Sequence, residues 1–259
     1  MSSDLPQRVV ITGASGGIGA ALARHYAREG AVTGLIARRG ALLRELAAQL
    51  PARCETYPVD VRDGAGLAAA ARDFLARHGC PDIVIANAGV SVGTLSECAE
   101  DLQVFEDVIH TNLIGIVNTF QPFLSCMRER GRGALVGIAS VAGYRGLPGA
   151  AAYSASKAAA ISYLESLRVE LAASGVKVIT ICPGYVTTPM TERNPYRMPF
   201  LMSAEAAAAK IASIIRRGRN YAVIPWQMAI VARVLRLMPN WLYDRAFAGA
   251  PRKARRGSP

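Results

Sequence analysis

The chain has 259 residues, of which 51% are hydrophobic and only 19% are charged. This composition excludes a disordered polypeptide, because it supplies enough apolar surface for a sizeable core. The formal net charge is +11, but neither zinc-finger spacing nor an aromatic RNA-binding signature accompanies the basic residues, so we predict no nucleic-acid partner.

The cysteines and histidines show no pattern of metal ligands. The five cysteines are scattered without a CxxC pair and the three histidines are isolated. We therefore expect free thiols, no metal site and a reducing, cytoplasmic location. The polar first residues predict no secretory leader, and no apolar run reaches the roughly 20 residues that a membrane-spanning helix needs.

Short apolar segments alternate with longer helical patterns along the chain. In chain order, strands are predicted at residues 9–12, 32–36, 54–59, 82–86, 134–139, 177–182 and 221–224. The helices predicted between them cover residues 17–29, 40–50, 64–78, 100–129, 151–173 and 203–217, the last with Ser203 as its N-cap. The strands lack polar alternation, which is typical of a sheet buried on both faces. The pattern predicts an α/β fold with a doubly wound parallel sheet.

The first predicted strand leads directly into a glycine-rich turn and a helix. The turn reads Gly13-Ala14-Ser15-Gly16-Gly17-Ile18-Gly19. Free backbone N–H groups and the dipole at the start of that helix favour a bound pyrophosphate. The spacing is GxxxGxG rather than GxGxxG, so a glycine-rich turn of another α/β protein is the alternative interpretation.

The end of the second predicted strand indicates which dinucleotide binds. A carboxylate there would bind the ribose 2′-hydroxyl of NAD, but this strand ends in Ala37-Arg38-Arg39. A guanidinium suits a 2′-phosphate because its planar fork makes paired, charged hydrogen bonds. The sequence therefore favours NADP(H), with NAD(H) as the weaker alternative. The other interpretation is that both arginines cap the helix that follows.

Tyr153 and Lys157 form a candidate acid/base pair. Their positions differ by four in a predicted helix, so both side chains lie on one face. A neighbouring ammonium favours the phenolate, and we expect it to lower the pKa of Tyr153 toward neutrality. Ser140 ends a strand nearby in the predicted fold, where its hydroxyl could orient a carbonyl, and Asn112 lies within the long predicted helix.

With these motifs, residues 9–224 resemble the classical short-chain dehydrogenase/reductase family. The resemblance implies a Rossmann fold in which Tyr153 is the general acid in reduction and the base in oxidation. It implies that Lys157 holds the nicotinamide ribose and tunes Tyr153, that Ser140 hydrogen-bonds the reacting oxygen, and that Asn112 holds the water of a proton relay. It also implies a homodimer or homotetramer.

The same resemblance extends to the cofactor site. Asp60 and Val61 would border the adenine, Asn87-Ala88-Gly89 the adenine ribose side, and Val186 and Thr188 the carboxamide. The full set of predicted cofactor-binding residues is Gly13, Ser15, Gly17, Ile18, Gly19, Arg38, Arg39, Asp60, Val61, Asn87, Ala88, Gly89, Tyr153, Lys157, Pro183, Gly184, Val186 and Thr188.

Residues 190–202 are rich in methionine and include Phe200 and Leu201. They would form either an adaptable apolar lid over a small-molecule substrate or an ordinary packed loop. We assign residues 1–225 to an NAD(P)-binding domain that includes this loop. Residues 226–259 are a helical segment and basic tail of the same domain.

The apolar run 226–238 carries Arg233 and Arg236, and Trp241, Tyr243 and Phe247 follow it. One interpretation is a helix buried against its own domain or a neighbouring subunit. The other is a peripheral anchor on an anionic membrane. The tail beyond residue 250 is expected to fray.

The leading functional hypothesis is an NADPH-dependent reductase of a lipophilic ketone or aldehyde. The alternatives are an NAD-linked alcohol dehydrogenase of the same fold and a cofactor-binding regulator without catalysis. Retention of Ser140, Tyr153 and Lys157 argues against the regulator.

Overall fold

The computed structural model describes residues 6–192, 194 and 197–255. The predicted lid segment 190–202 is thus described in part, since residues 193, 195 and 196 lie outside the described residues. Arg256 of the basic tail also lies outside them.

Within the described residues, seven parallel strands form one sheet in the order β3-β2-β1-β4-β5-β6-β7, which confirms the predicted doubly wound topology. The central strands are apolar and buried on both faces, as their lack of alternation predicts. Their bounds are Arg8–Thr12 (β1), Val32–Ile36 (β2), Cys54–Tyr57 (β3), Ile83–Ala86 (β4), Gly133–Ile138 (β5), Val176–Pro183 (β6) and Tyr221–Ile224 (β7).

Helices cover both faces of the sheet and form two apolar layers. The described helices are α1 (Gly17–Arg28), α2 (Gly40–Ala48), α3 (Gly64–His78), α4 (Asp101–Ile109), α5 (Gly115–Arg130), α6 (Ala151–Glu170), α7 (Ala204–Arg216), α8 (Trp226–Leu237) and α9 (Asn240–Phe247). One layer contains α1, α2 and α7, and the other contains α3, α5 and α6. Ser203 caps α7 as predicted, since its Oγ accepts a hydrogen bond from the Ala206 N–H at 3.1 Å. No helix among the described residues is long and apolar enough to span a bilayer.

The predicted helical region 100–129 is helical from Asp101 to Arg130, but it is not one uninterrupted α-helix. A π-helical turn, His110–Ile114, separates α4 from α5. Single π turns inside α-helices are rare, and no residue type in this stretch marks where one occurs. Asn112 lies in this turn and is completely buried.

The prediction that every cysteine is free is wrong. Cys80 and Cys126 form a disulfide with their Cα atoms 5.9 Å apart, while Cys54, Cys98 and Cys182 are free. Cys80 follows the end of α3 and Cys126 lies on α5. These two helices pack together in the same layer, so the fold brings together cysteines that are 46 residues apart in sequence.

The tail beyond residue 250 is not frayed over its described part. Arg255 forms an ion pair with Asp101 at 2.8 Å, and the N–H of Gly93 donates to the carbonyl of Ala254 at 2.9 Å. The tail contains no apolar run, so its composition gives no signal of this docking.

Candidate active site

A cleft of about 290 Å³ opens at the carboxyl ends of the central strands. β1 has β2 as its neighbour on one side and β4 on the other, so the strand order reverses direction between β1 and β4, next to the cleft. Ligands of open parallel sheets bind in this crevice. The cleft is lined by the glycine turn, by the ends of β2, β4, β5 and β6, and by the start of α6.

The glycine turn forms the floor of the cleft. Gly13 has φ +69°, and a Cβ added to it would lie 2.7 Å from the Cα of Ala88. Asn87 ties the turn to the end of β4, because its Nδ2 donates to the carbonyl of Thr12 at 3.0 Å. Thr12, which the sequence analysis missed, is fully buried, and its Oγ1 accepts the backbone N–H of Asn87. Only the absence of Cβ atoms lets the backbone pack this closely and leaves an open cradle.

The start of α1 lies at this cradle. No acidic residue occurs in its first turn, so the free N–H groups and the helix dipole present a positive field. The residues present therefore fit the pyrophosphate of a dinucleotide.

The two arginines after β2 have different neighbours. Arg39 folds over the glycine turn, where its Nη2 and Nε donate to Ser15 Oγ at 3.0 and 3.2 Å. Arg39 occupies the N-cap position of α2, but its side chain makes no capping hydrogen bond and is directed to the glycine turn instead. Arg38 faces Asp60 instead, with Nη1 3.8 Å from Oδ2.

Asp60 and Val61 line the same end of the cleft as Arg38. Burial alone would raise the pKa of Asp60, but hydrogen bonds and charge from Arg62, together with the charge of Arg38, hold it below its ordinary value. Asp60 is therefore an ionised acceptor at neutral pH.

Ser140 and Tyr153 meet at the centre of the cleft. Burial raises the pKa of the Tyr153 phenol, and a hydrogen bond with the Ser140 side chain opposes that rise. The expected lowering by Lys157 is not found, since the ammonium lies 5.9 Å from the ring centre of Tyr153. Desolvation therefore outweighs the hydrogen bond from Ser140 and keeps the phenol protonated.

Lys157 is almost completely buried beneath Tyr153. Its Nζ donates to the carbonyl of Ile138 at 2.7 Å. Burial lowers its pKa from 10.5 to about 8, so the ammonium remains mostly charged at neutral pH.

Asn112 lies behind the cleft rather than in its wall. Its Oδ1 accepts from the N–H of Val90 at 2.8 Å, and its Nδ2 donates to the carbonyl of Val90 at 2.9 Å and to Ser156 Oγ at 3.0 Å. The π-turn aims this amide at both the β4 loop and α6. It thereby connects the predicted cofactor loop to the helix that carries Tyr153.

The residues that follow β6 form another wall of the cleft. Thr188 lies against the glycine turn, because a Cβ on Gly17 would come within 2.9 Å of its Cγ2. Thr191 was predicted only as part of the segment 190–202, yet its Oγ1 accepts the N–H of Thr188 at 3.0 Å and donates to the carbonyl of Val186 at 2.6 Å. A threonine in a loop of mixed composition gives no sequence signal for this organising role.

Most predicted site residues lie in the wall of this one cleft. Gly19 lies beneath the turn, where a Cβ would clash with the carbonyl oxygen of Gly13, and Asn112 lies behind Val90. Among the residues that the structure describes, no three potential metal ligands come together. Gly16 of the predicted glycine turn and Met190 and Thr191 of the predicted segment 190–202 also line the cleft. Lining residues that were not predicted are Ala37, Val59, Val90, Thr111, Ile138, Ala139 and Pro189.

Known proteins are similar to this chain in sequence and in fold. An uncharacterised oxidoreductase of Myxococcus xanthus is 39% identical over 92% of this chain and 94% of its own length. An alcohol dehydrogenase of Thermococcus sibiricus, solved with 5-hydroxy-NADP, has a TM-score of 0.74 at 26% identity and covers 85% of this chain and 96% of its own. A short-chain dehydrogenase/reductase of Burkholderia phymatum, solved with NAD, has a TM-score of 0.80 at 25% identity, covering 90% of this chain and 94% of its own.

The short chain dehydrogenase family model matches residues 7–198, which include the glycine turn, Ser140, Tyr153 and Lys157. On this match and on the shared fold, the chain belongs to the short-chain dehydrogenase/reductase family.

Proposed function

We propose that this protein is an NADP(H)-dependent oxidoreductase that moves a hydride between the nicotinamide and a carbonyl or alcohol carbon. The observation that carries the proposal is one cleft that contains both a dinucleotide cradle and the Ser140–Tyr153 pair above Lys157. The bound nicotinamide supplies or accepts the hydride.

Tyr153 is the acid in reduction. Its raised pKa keeps a proton on the phenol at neutral pH, ready for the substrate oxygen. Ser140 holds that oxygen by a second hydrogen bond. Lys157 stabilises the phenolate that remains after proton transfer, since two opposite charges in a buried site attract strongly. The family resemblance assigns Asn112 the water of a proton relay, while in this structure its side-chain amide joins Val90 to Ser156 on α6.

We assign NADP(H) rather than NAD(H) on the basis of Arg39. Its guanidinium lies beside Ser15 at the cradle, and the end of β2 offers no carboxylate to a ribose hydroxyl. One related structure was solved with 5-hydroxy-NADP and another with NAD, so family membership alone does not decide the preference. NAD-linked alcohol oxidation is the competing function.

The substrate class follows from the apolar residues beyond β6. Met190, Phe200 and Leu201 are all partly exposed although large and apolar, which suits a lid over a lipophilic ketone or aldehyde.

Cofactor oxidation against ketones and aldehydes of graded chain length tests the proposal. We expect the parent to oxidise NADPH faster than NADH, with KM falling as the apolar chain lengthens. Tyr153→Phe keeps the ring and should still bind NADPH, yet it should turn over at least about 100-fold more slowly. No turnover by the parent on any carbonyl, with normal NADPH binding, would favour the binding-only regulator.

The family resemblance supports a homodimer or homotetramer, which light scattering measures directly.

Helix α8 has an exposed apolar face, which supports a further contact of this protein. Trp226, Ile230, Val234 and Leu237 recur at helical spacing on one face of α8, and all four are exposed. Only the opposite face of the helix, which includes Met228 and Ala232, is buried.

We assign this exposed stripe to an anionic lipid surface. Arg233 and Arg236 are exposed along one flank of the stripe, and two-fold pairing with another copy would bring like charges together. Anionic headgroups would instead attract each arginine by about 1 kcal/mol.

Vesicle flotation tests this contact. We expect salt-sensitive binding to anionic but not neutral vesicles, lost in Ile230→Asp/Val234→Asp and kept in Leu102→Asp, which alters an exposed leucine on α4. A change in oligomer mass without flotation would assign the stripe to a subunit contact.

A further inference from the structure

The last described residues return to the segment that follows β4. The N–H of Gly93 donates to the carbonyl of Ala254 at 2.9 Å, and Lys253 Nζ donates to Ser91 Oγ at 2.8 Å. Gly93 is required at this contact, because a methyl group there would clash with the carbonyl oxygen of Lys253. Residues 252–255 therefore fit this segment closely. From here on, the name tail refers to these four residues alone.

An ion pair fastens the tail at its far end. Asp101 is the first residue of α4, and its side chain is only 6% exposed. Its Oδ2 accepts from Arg255 Nε at 2.8 Å and from the N–H of Leu95 at 2.8 Å. These hydrogen bonds, together with the charge of Arg255, lower the pKa of Asp101. Without Arg255, the buried carboxylate would lose its cationic partner.

The fastened segment in turn supports the helix that carries Tyr153. The N–H of Thr94 donates to the carbonyl of Gly149 at 3.1 Å. Ala150 precedes α6 and offers no side-chain cap. Thr94, which lies outside α6, supplies a side-chain cap, because its Oγ1 accepts the N–H of Ala152 at 3.4 Å. The first N–H groups of a helix need such partners, and Ala152 immediately precedes Tyr153.

We propose that the tail is a positioning element of the active site. Arg255 holds Asp101 and the 91–95 segment, this segment caps the first turn of α6, and that turn orients Tyr153. Arg255 thus acts through other residues and touches neither substrate nor reacting atoms. Cofactor affinity is independent of the tail, because Asn87 and Thr12 hold the glycine turn.

The test compares Arg255→Ala with Arg255→Lys, and with Arg217→Ala as the control at the exposed arginine that directly follows α7. Three quantities are measured for each variant: kcat with the best carbonyl substrate, the Kd of NADPH, and the rate of hydrogen exchange at the Ala152 amide. Because small misplacements in an active site cost up to about 100-fold, we expect Arg255→Ala to lower kcat at least about tenfold. NADPH Kd should change less than about twofold, and Arg255→Lys should restore most of the rate.

Exchange at the Ala152 amide should accelerate in Arg255→Ala and stay unchanged in Arg217→Ala. Adding Asp101→Asn to Arg255→Ala should lower kcat no further, since both changes break one contact. An unchanged kcat, or parallel losses of kcat and NADPH affinity, would overturn the positioning role.

The kinetic part of this test rests on the proposed function. If the parent turns over no carbonyl, the proposed function fails on its own. Amide exchange then decides the role of the tail, because protection of Ala152 that is unaffected in Arg255→Ala contradicts it.

Discussion

Replacing Arg39 by alanine should weaken the preference for NADPH over NADH. In the structure the guanidinium lies beside Ser15, with two donors directed at its hydroxyl. A 2′-phosphate at this position would accept charged hydrogen bonds, each worth about 1.5–3 kcal/mol. Since about 1.4 kcal/mol corresponds to a tenfold change in Kd, one lost bond predicts a roughly 10- to 150-fold weaker NADPH complex.

The exposure of Arg39 places the expected value near the lower end of that range. Solvent screens an exposed charge, so we expect Arg39→Ala to raise the NADPH Kd about 10- to 30-fold. NADH lacks the phosphate and should bind within about twofold of the parent. Arg38→Ala should have a smaller effect on NADPH, because Arg38 faces Asp60.

Fluorescence titration of both reduced dinucleotides measures these constants. Arg39→Lys keeps the charge but not the planar fork, and should fall between parent and Arg39→Ala. Arg217→Ala serves as the control for a change in net charge. Equal losses for NADPH and NADH in Arg39→Ala would refute the assignment, because they would show that Arg39 only shapes the glycine turn.

Three further changes test the site and its support. Ser140→Ala should lower kcat about 100- to 1,000-fold, as removal of one donor to a reacting oxygen does elsewhere, and Ser140→Thr should recover part of the rate. Cys80→Ser opens a disulfide between cysteines 46 residues apart and should lower the unfolding free energy by up to about 4 kcal/mol in denaturant titration, with an unchanged midpoint contradicting the bond. Because burial lowers the pKa of Lys157 from 10.5 to about 8, the parent should gain unfolding free energy relative to Lys157→Met as pH rises from about 8 to 10.5, and lose it as pH falls through 8. A flat difference across that range would show that Lys157 titrates normally.

The sheet and the cofactor cradle were predictable because local sequence determines them. Apolar runs such as Val9–Thr12 read as buried strands without tertiary information, and the glycines at 13, 17 and 19 mark a turn that side chains would block. The same holds for Ser203, whose capping role depends only on the residues that follow it.

The remaining features depend on contacts between distant segments. Nothing near Asn112 in sequence indicates a π-turn, and Cys80 and Cys126 meet only because α3 and α5 pack together. The pairing of Arg255 with Asp101 joins residues 154 positions apart, so charge patterning along the chain cannot find it. The predicted lowering of the Tyr153 pKa is wrong because the burial that raises this pKa depends on the whole fold.

Isotope transfer tests the central claim most directly. NADPH carrying deuterium on one face of the nicotinamide C4, and then on the other, is supplied with the best carbonyl substrate, and the alcohol product is analysed by mass spectrometry. Direct hydride transfer predicts deuterium on the former carbonyl carbon from one labelled form and not from the other, and almost no product from Tyr153→Phe. An alcohol that lacks deuterium with both forms, or equal product from Tyr153→Phe, would contradict the assignment.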